Sequence, residues 1–218
     1  MSGEKGGKDM LLKIAEDMTI ASAGANHTKA NHGLVAGDLV KFDATVGTAF
    51  STSRFYFVVD GSADGTLAAL DASVFQLALT PDGTAILGDA TNGTVSIDAY
   101  KTIGGLRAST FSMTIDDVDI SNHGSNQWKN LKAGAGMRAV AVSGSGVYTN
   151  NTNYRAMESS ALQNALVALA FLDLDGGRIY SANFKINSSE ASGEYDGEAS
   201  FSMSANSSGS VSIAQLGT

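Results

Sequence analysis

The sequence contains no cysteine, which removes disulfide scaffolds, cysteine-based zinc sites and thiol catalysis together. Proline is almost missing too: the only one, Pro81, stands in a Thr-Pro-Asp-Gly turn. No long apolar run occurs. The longest, Ala165 to Leu172, has eight residues, well short of the ~18 that a bilayer-spanning helix needs. A secretory leader is not expected either, because Asp9 precedes the short Met10-Leu11-Leu12 cluster. Cations are the minority charge, with 14 Lys and Arg against 22 Asp and Glu and a formal net charge of −8. Such a chain is a poor candidate for holding nucleic acid, since non-specific affinity comes mainly from Lys and Arg neutralising phosphates.

What is present is enough chain for a sizeable core. At 218 residues, 43% of them hydrophobic, it can form one large all-β domain or two modest ones. Its mean hydropathy of +0.01 fits a soluble globular protein. The charge is unevenly spread. Residues 17–98 carry nine acids and three bases, a net of −6, whereas the rest of the chain nets only −2. A change of charge density at both ends of one segment predicts a separate domain there.

Both parts read as β structure. Within 17–98, short strands are predicted at Asp38–Phe42, Arg54–Val59, Phe75–Leu79, Thr84–Leu87 and Thr94–Ile97, separated by Gly, Asp and Asn clusters. Elsewhere a period of two recurs: Phe111, Met113 and Ile115 oppose Thr110, Ser112 and Thr114, and Phe201, Met203 and Ala205 oppose Ser200, Ser202 and Ser204. Tyr180, Ala182, Phe184 and Ile186 make another apolar face. Half-buried antiparallel strands produce this alternation. One helix is expected over roughly Tyr154 to Val167, with Asn153 as its N-cap.

The chemistry-bearing motifs do not assemble into a catalytic set. Gly134-Ala-Gly136-Met-Arg-Ala139 imitates a dinucleotide fingerprint, but the strand-like Arg138–Val142 follows where a helix is required. Asp173-Leu-Asp175-Gly-Gly177 lacks the further ligands of a calcium loop and reads as a hairpin turn. Asp116, Asp117 and Asp119 read as a solvated acidic edge. His27, His32 and His123 lack the spacing that places two ligands on one helix face, and no serine sits in a nucleophile elbow. No enzyme, cofactor or metal is expected.

Several blocks, taken in order, carry a resemblance. The opening Lys8-Asp9-Met10-Leu11-Leu12-Lys13-Ile14 resembles the start of the major tail tube proteins of long-tailed phages and gene transfer agents. Thr102-Ile-Gly104-Gly105-Leu106-Arg107-Ala-Ser109, Val118-Asp-Ile-Ser-Asn122 and Trp128-Lys-Asn-Leu131 follow in the family's order. So do Ala133-Gly134-Ala-Gly136, Val142-Ser-Gly144-Ser-Gly146-Val147 and Ser192-Gly-Glu-Tyr195-Asp-Gly197-Glu198. Family members of this type pass almost directly from the first block to Gly-Gly-Leu-Arg, whereas about 80 residues intervene here, and they are the segment flagged by charge. With Asn31-His-Gly33, Ala36-Gly-Asp38, Phe57–Val59 and Phe75-Gln-Leu77, that segment is similar to small β modules grafted onto phage tail proteins.

The resemblance implies an all-β, mainly antiparallel tail-tube β-sandwich or barrel with one α-helix, formed by residues 1–16 and 99–218. Residues 17–98 become an inserted all-β accessory domain on the outer surface. It further implies a virion protein, assembled in the host bacterial cytoplasm, whose hexameric rings stack around a tape measure protein. The emptied lumen then conducts DNA without binding it specifically. The tail terminator and distal tail proteins are implied partners, a host surface is a candidate contact for the inserted domain, and no membrane insertion is expected. An arm carrying Lys5, Lys8, Asp9 and Met10 is expected to order on the next ring. Two alternatives stay open: a secretion-tube ring protein of the same architecture, and a glycan-binding module stacking sugars on Phe55, Tyr56 and Trp128.

Overall fold

The computed structural model describes residues 10–45, 47–60, 70–87, 93–103, 106–125, 128–148, 151–173, 177–193 and 198–216. In chain order the elements are β1 (Met10–Ala23), β2 (Asn26–Thr28), β3 (Leu39–Phe42), β4 (Phe55–Val59), β5 (Val74–Ala78) and β6 (Gly93–Thr102). Then come β7 (Leu106–Ile115), β8 (Arg138–Val147), α1 (Thr152–Leu162), β9 (Leu166–Asp173), β10 (Arg178–Ser192) and β11 (Ser200–Gln215). All pairings are antiparallel, in the order β2-β5-β4-β3-β6-β1-β9-β10-β11-β8-β7. Because β2 also pairs with β1, the first six strands close into a barrel. The fold is all-β with one α-helix among the described residues.

Four of the five strands expected within 17–98 are present as β3, β4, β5 and β6. Thr84–Leu87 is not a strand; it lies against the barrel wall, with Ile86 N–H donating to the Leu77 carbonyl at 2.8 Å and Ala85 buried against Val59 and Ala78. The helix begins two residues earlier than expected, capped by Asn151, whose side chain accepts from the Asn153 amide at 2.8 Å. It ends at Leu162, and Asn164 takes the left-handed conformation (φ 55°) before β9 starts at Leu166. The Ala165–Leu172 run is a strand buried on both faces, and such a strand has no alternation to distinguish it from a buried helix.

Three apolar clusters organise the chain. Leu12 and Ile14 of β1, Ile103, and side chains of β8 to β11 pack with Tyr154 and Met157 of α1 in one core. The sheet rolls around it, so Phe111 of β7 meets Phe171 and Tyr180 at ring-centroid distances of 5.1 and 4.7 Å. A second core fills the barrel, from Met18 and Ile20 of β1 to Val95, Ile97 and Ala99 of β6, around Phe42, Phe50, Tyr56 and Phe75. A third lies between them: Leu39, Phe55, Phe57 and Tyr100 of the barrel pack on Ala170, Leu172 and Ile179 of β9 and β10.

Charge is buried at the same joint. On β1 the side chains flanking Leu12 and Ile14 point the opposite way, and Lys13 is only 2% exposed. Its Nζ lies 3.1 Å from Asp38 Oδ1 and donates to Thr102 Oγ1 at 2.8 Å. Asp38 Oδ2 accepts from the Val35 amide at 3.1 Å. Burial pulls the Lys13 ammonium below its usual range, and the Asp38 carboxylate pulls it back. Beside it Lys101 Nζ pairs with Glu16 at 2.7 Å and donates to the His32 carbonyl at 2.9 Å. Both lysines therefore hold the 31–38 loop onto the β1–β6 ribbon.

His27 sits inside the barrel, fully buried among Phe42, Phe50 and Phe75, and neither ring nitrogen has a hydrogen-bond partner among the described residues. Burial pushes its pKa down to about 4.

Two predictions follow from these buried groups. Lys13→Met strands a buried carboxylate and is expected to destabilise the fold by about 3–5 kcal/mol. Adding Asp38→Asn restores much of that loss in chemical denaturation, and a single-variant cost under about 1 kcal/mol would contradict a buried ion pair. For His27 the folded pKa lies below the unfolded value. The neutral ring's stability is thus fully present above about pH 6.5 and lost as pH falls through about 4. Relative to wild type, His27→Phe should gain up to about 3 kcal/mol as pH drops across that window, read as a widening gap between thermal midpoints.

Candidate functional site: assembly surfaces

Three surface features stand out once the cores are accounted for. The first is the side of β7, β8, β11 and the second half of β10 that faces away from the apolar core. Strand register aligns Thr110 with Ser143, Ala108 with Ser145, Ser145 with Ser202 and Ser143 with Ser204. Hydroxyls also meet across β10 and β11, Ser188 with Ser204 at 2.7 Å and Ser192 with Ser200 at 3.0 Å. Lys185 and Glu190 of β10 bring charge to this surface, and the Arg107–Glu198 pair stands at one end of it, with N–O distances of 2.9 and 3.0 Å. The surface is a ladder of hydroxyls with little charge.

The second feature is the corner where two sequence blocks meet. Arg107 is the extra residue of a β-bulge between Leu106 and Ala108, which redirects its side chain toward Glu198, 91 residues on. A Cβ on Gly144 would lie 2.6 Å from Leu106 Cδ1, so glycine here leaves room for the Leu106 side chain over β8. Gly146 stands opposite both Leu106 and Phe201. Gly104, Gly105, Tyr195 and Gly197 lie outside the described residues.

The third is an arm, residues 116–137, projecting between β7 and β8. Two limbs run antiparallel: the Asp116 amide donates to the Met137 carbonyl, Ile120 to Asn130 and Lys132 to Val118, each at 2.9 Å. At its base Gly136 has φ +94°, and any Cβ there would collide with the Asp116 carbonyl; Gly134 also has positive φ. The Gly134-Ala-Gly136 block is thus a turn leading into a strand. None of the arm's described residues is buried. Val118, Ile120 and Leu131 are exposed, and Trp128 and Met137 are 77% and 78% exposed. Five apolar side chains exposed along one projection are available for contact with another molecule.

The described acidic residues of the arm have local partners. The Ser121 hydroxyl, and after it the Ser121 amide that donates to Asp119 at 2.8 Å, hold the Asp119 carboxyl below the usual range, and Asp117 lies 3.7 Å from Lys129. No group of three or more potential metal-ligating His, Cys, Asp or Glu side chains occurs among the described residues. The sugar-stacking alternative loses two of its three aromatics, since Phe55 and Tyr56 are buried in the joint and the barrel core. Of the expected stacking arm, Lys5, Lys8 and Asp9 lie outside the described residues, and Met10 begins β1 opposite Asp173. The Lys13–Asp38 and Arg107–Glu198 pairs were not read from the sequence. The one signal for the former is a single lysine amid the apolar residues of Leu11-Leu12-Lys13-Ile14.

No curated protein matches the chain. It is similar to a chain in a structure described as the tail of an empty gene transfer agent particle with C6 symmetry. The identity is 29%, over 53% of this chain and 86% of that one, with a TM-score of 0.48. A chain in the virion of a native gene transfer agent particle is 28% identical, over 53% of this chain and 88% of that one, again with a TM-score of 0.48. Residues 83–213, from the turn after Pro81 through β6 to β11, match the family described as phage tail tube protein. That match spans more than half of the sequence, and the chain belongs to the phage tail tube protein family, whose members are structural proteins rather than enzymes.

Proposed function

We propose that the protein is a major tail tube subunit, that its hexameric rings stack into a tube, and that its hydroxyl-lined surface faces the lumen. The lumen first holds a tape measure protein and then conducts DNA. The observation that carries this reading is the hydroxyl ladder itself. A conduit for a phosphate polymer must avoid fixed cations, because each phosphate neutralised by Lys or Arg adds affinity through counterion release. Hydroxyls paired across strands, with a single lysine on β10 and an arginine already paired with Glu198, offer few such sites. The chain's net charge of −8 adds repulsion over roughly the ~8 Å screening length.

Residues 17–98 form the accessory domain in this reading, and it lies outside the tube. Two facts support that placement. The barrel core and the α1 core share only the β1–β6 ribbon, passing from one to the other between Ile14 and Met18 and between Ala99 and Ile103. The joint uses β1, β9, the start of β10 and the end of β11, whereas the hydroxyl surface uses β7, β8, the first half of β11 and the end of β10. A rolled sheet separates these two sets of segments. Tail terminator and distal tail proteins are the partners at the tube ends, the barrel is free to meet a host surface, and assembly takes place in the host cytoplasm.

The absence of cysteine makes the test direct. Ser145→Cys and Ser202→Cys should react with a small maleimide in assembled tubes, yet resist one attached to a folded carrier protein wider than the lumen. Ala72→Cys on the barrel should react with both. Equal carrier labelling at all three positions in intact tubes would contradict a lumenal hydroxyl surface.

A further inference from the structure

β11 has two unlike halves. From Ser200 to Asn206 it lies between β10 and β8, but from Ser208 to Gln215 it pairs with β10 alone among the described residues. The two strands part near Gly209, where φ is +87° within the register shift opposite Ser181 and Asn183. Beyond that point the second edge of β11 borders a groove made of two clefts. One, of about 320 Å³, is lined by Met113, Val140, Val211 and Ile213, with Arg138 at its wall. The next, of about 370 Å³, continues past Ile213 to Lys41, Arg54 and Phe55 of the barrel. Ile213 lines both and is 60% exposed. An open strand edge beside apolar side chains is a template for another extended segment, and here three cations stand along it.

The arm supplies a segment of complementary chemistry. Ile115-Asp116-Asp117-Val118-Asp119-Ile120 leaves β7 in extended form, with Val118 and Ile120 alternating with Asp117 and Asp119. Its even-numbered residues bond to the returning limb, so the amides and carbonyls of Asp117 and Asp119 point the other way. We propose that residues 115–120 of one copy add as a strand to the Ser208–Gln215 edge of a second copy. Val118 and Ile120 then enter the apolar cleft, and the aspartates, on the opposite face of the added strand, meet Lys41 and Arg54. The donor and acceptor surfaces differ, so the contact is head-to-tail and propagates from copy to copy. A six-residue strand buries well under the ~1,200 Å² of a stable pairwise interface, so each contact is weak alone and is strengthened by repetition. This inference rests on the self-assembly reading above.

Two single-cysteine chains test it, Ile120→Cys and Ile213→Cys, one of them carrying a mass tag. Mixed at several mg/mL and oxidised, they should give a mixed disulfide dimer that exceeds either homodimer. Arg54→Glu in the Ile213→Cys chain should weaken that product, and Asp119→Arg in the Ile120→Cys chain should restore it. Rings or tubes that form without the mixed disulfide would overturn this contact while leaving the tube reading intact. A chain that neither assembles nor cross-links would overturn the self-assembly reading on which the contact rests.

Discussion

The structure depends on two strands having to serve two cores. β1 gives Leu12 and Ile14 to one core and Met18 and Ile20 to the other, and β6 returns along it through ten residue pairs, from Ser22–Gly93 to Lys13–Thr102. A bare two-stranded ribbon is marginally stable in water and would bend. It is fixed here because its flank is dry: the joint buries Leu39, Phe55, Phe57 and Tyr100 against β9 and β10, and it encloses the Lys13–Asp38 pair. A buried ion pair contributes little net stability but tolerates only one geometry, since either partner left alone is costly. The barrel is consequently held at a defined angle to the rolled sheet.

The same logic governs the rolled sheet. Its inner side is a conventional apolar core, while the outer side has hydroxyls that satisfy one another across strands. Two glycines make room for close approaches at its edge. Gly136 lets the arm close on Asp116, and Gly144 lets Leu106 settle over β8. Each contact joins segments separated in the chain, as the Arg107–Glu198 pair does across 91 residues.

Local periodicity revealed most of the strands but not their closure. Alternation at Phe111–Ile115, Tyr180–Ile186 and Phe201–Ala205 is a property of neighbouring residues, and it was legible. The inner side of β7 was only half anticipated: Phe111 packs on the core, whereas Met113 and Ile115 are more than half exposed. β2, three residues long, has too little sequence to signal a strand, yet it closes the barrel. β9 was not anticipated, and its first two residues fell within the expected helix, because burial on both faces erases the period. The charged joint was invisible for a different reason: Lys13 meets Asp38 and Thr102 only after the barrel has folded back on the ribbon.

Electron microscopy of the assembled full-length protein addresses the central claim most directly, because the claim concerns where two surfaces lie in an assembly. The account predicts hollow, stacked six-fold rings, with the hydroxyl ladder of β7, β8 and β11 around the channel and the barrels projecting outward. Filaments without a channel, or rings whose barrels point into it, would contradict the account.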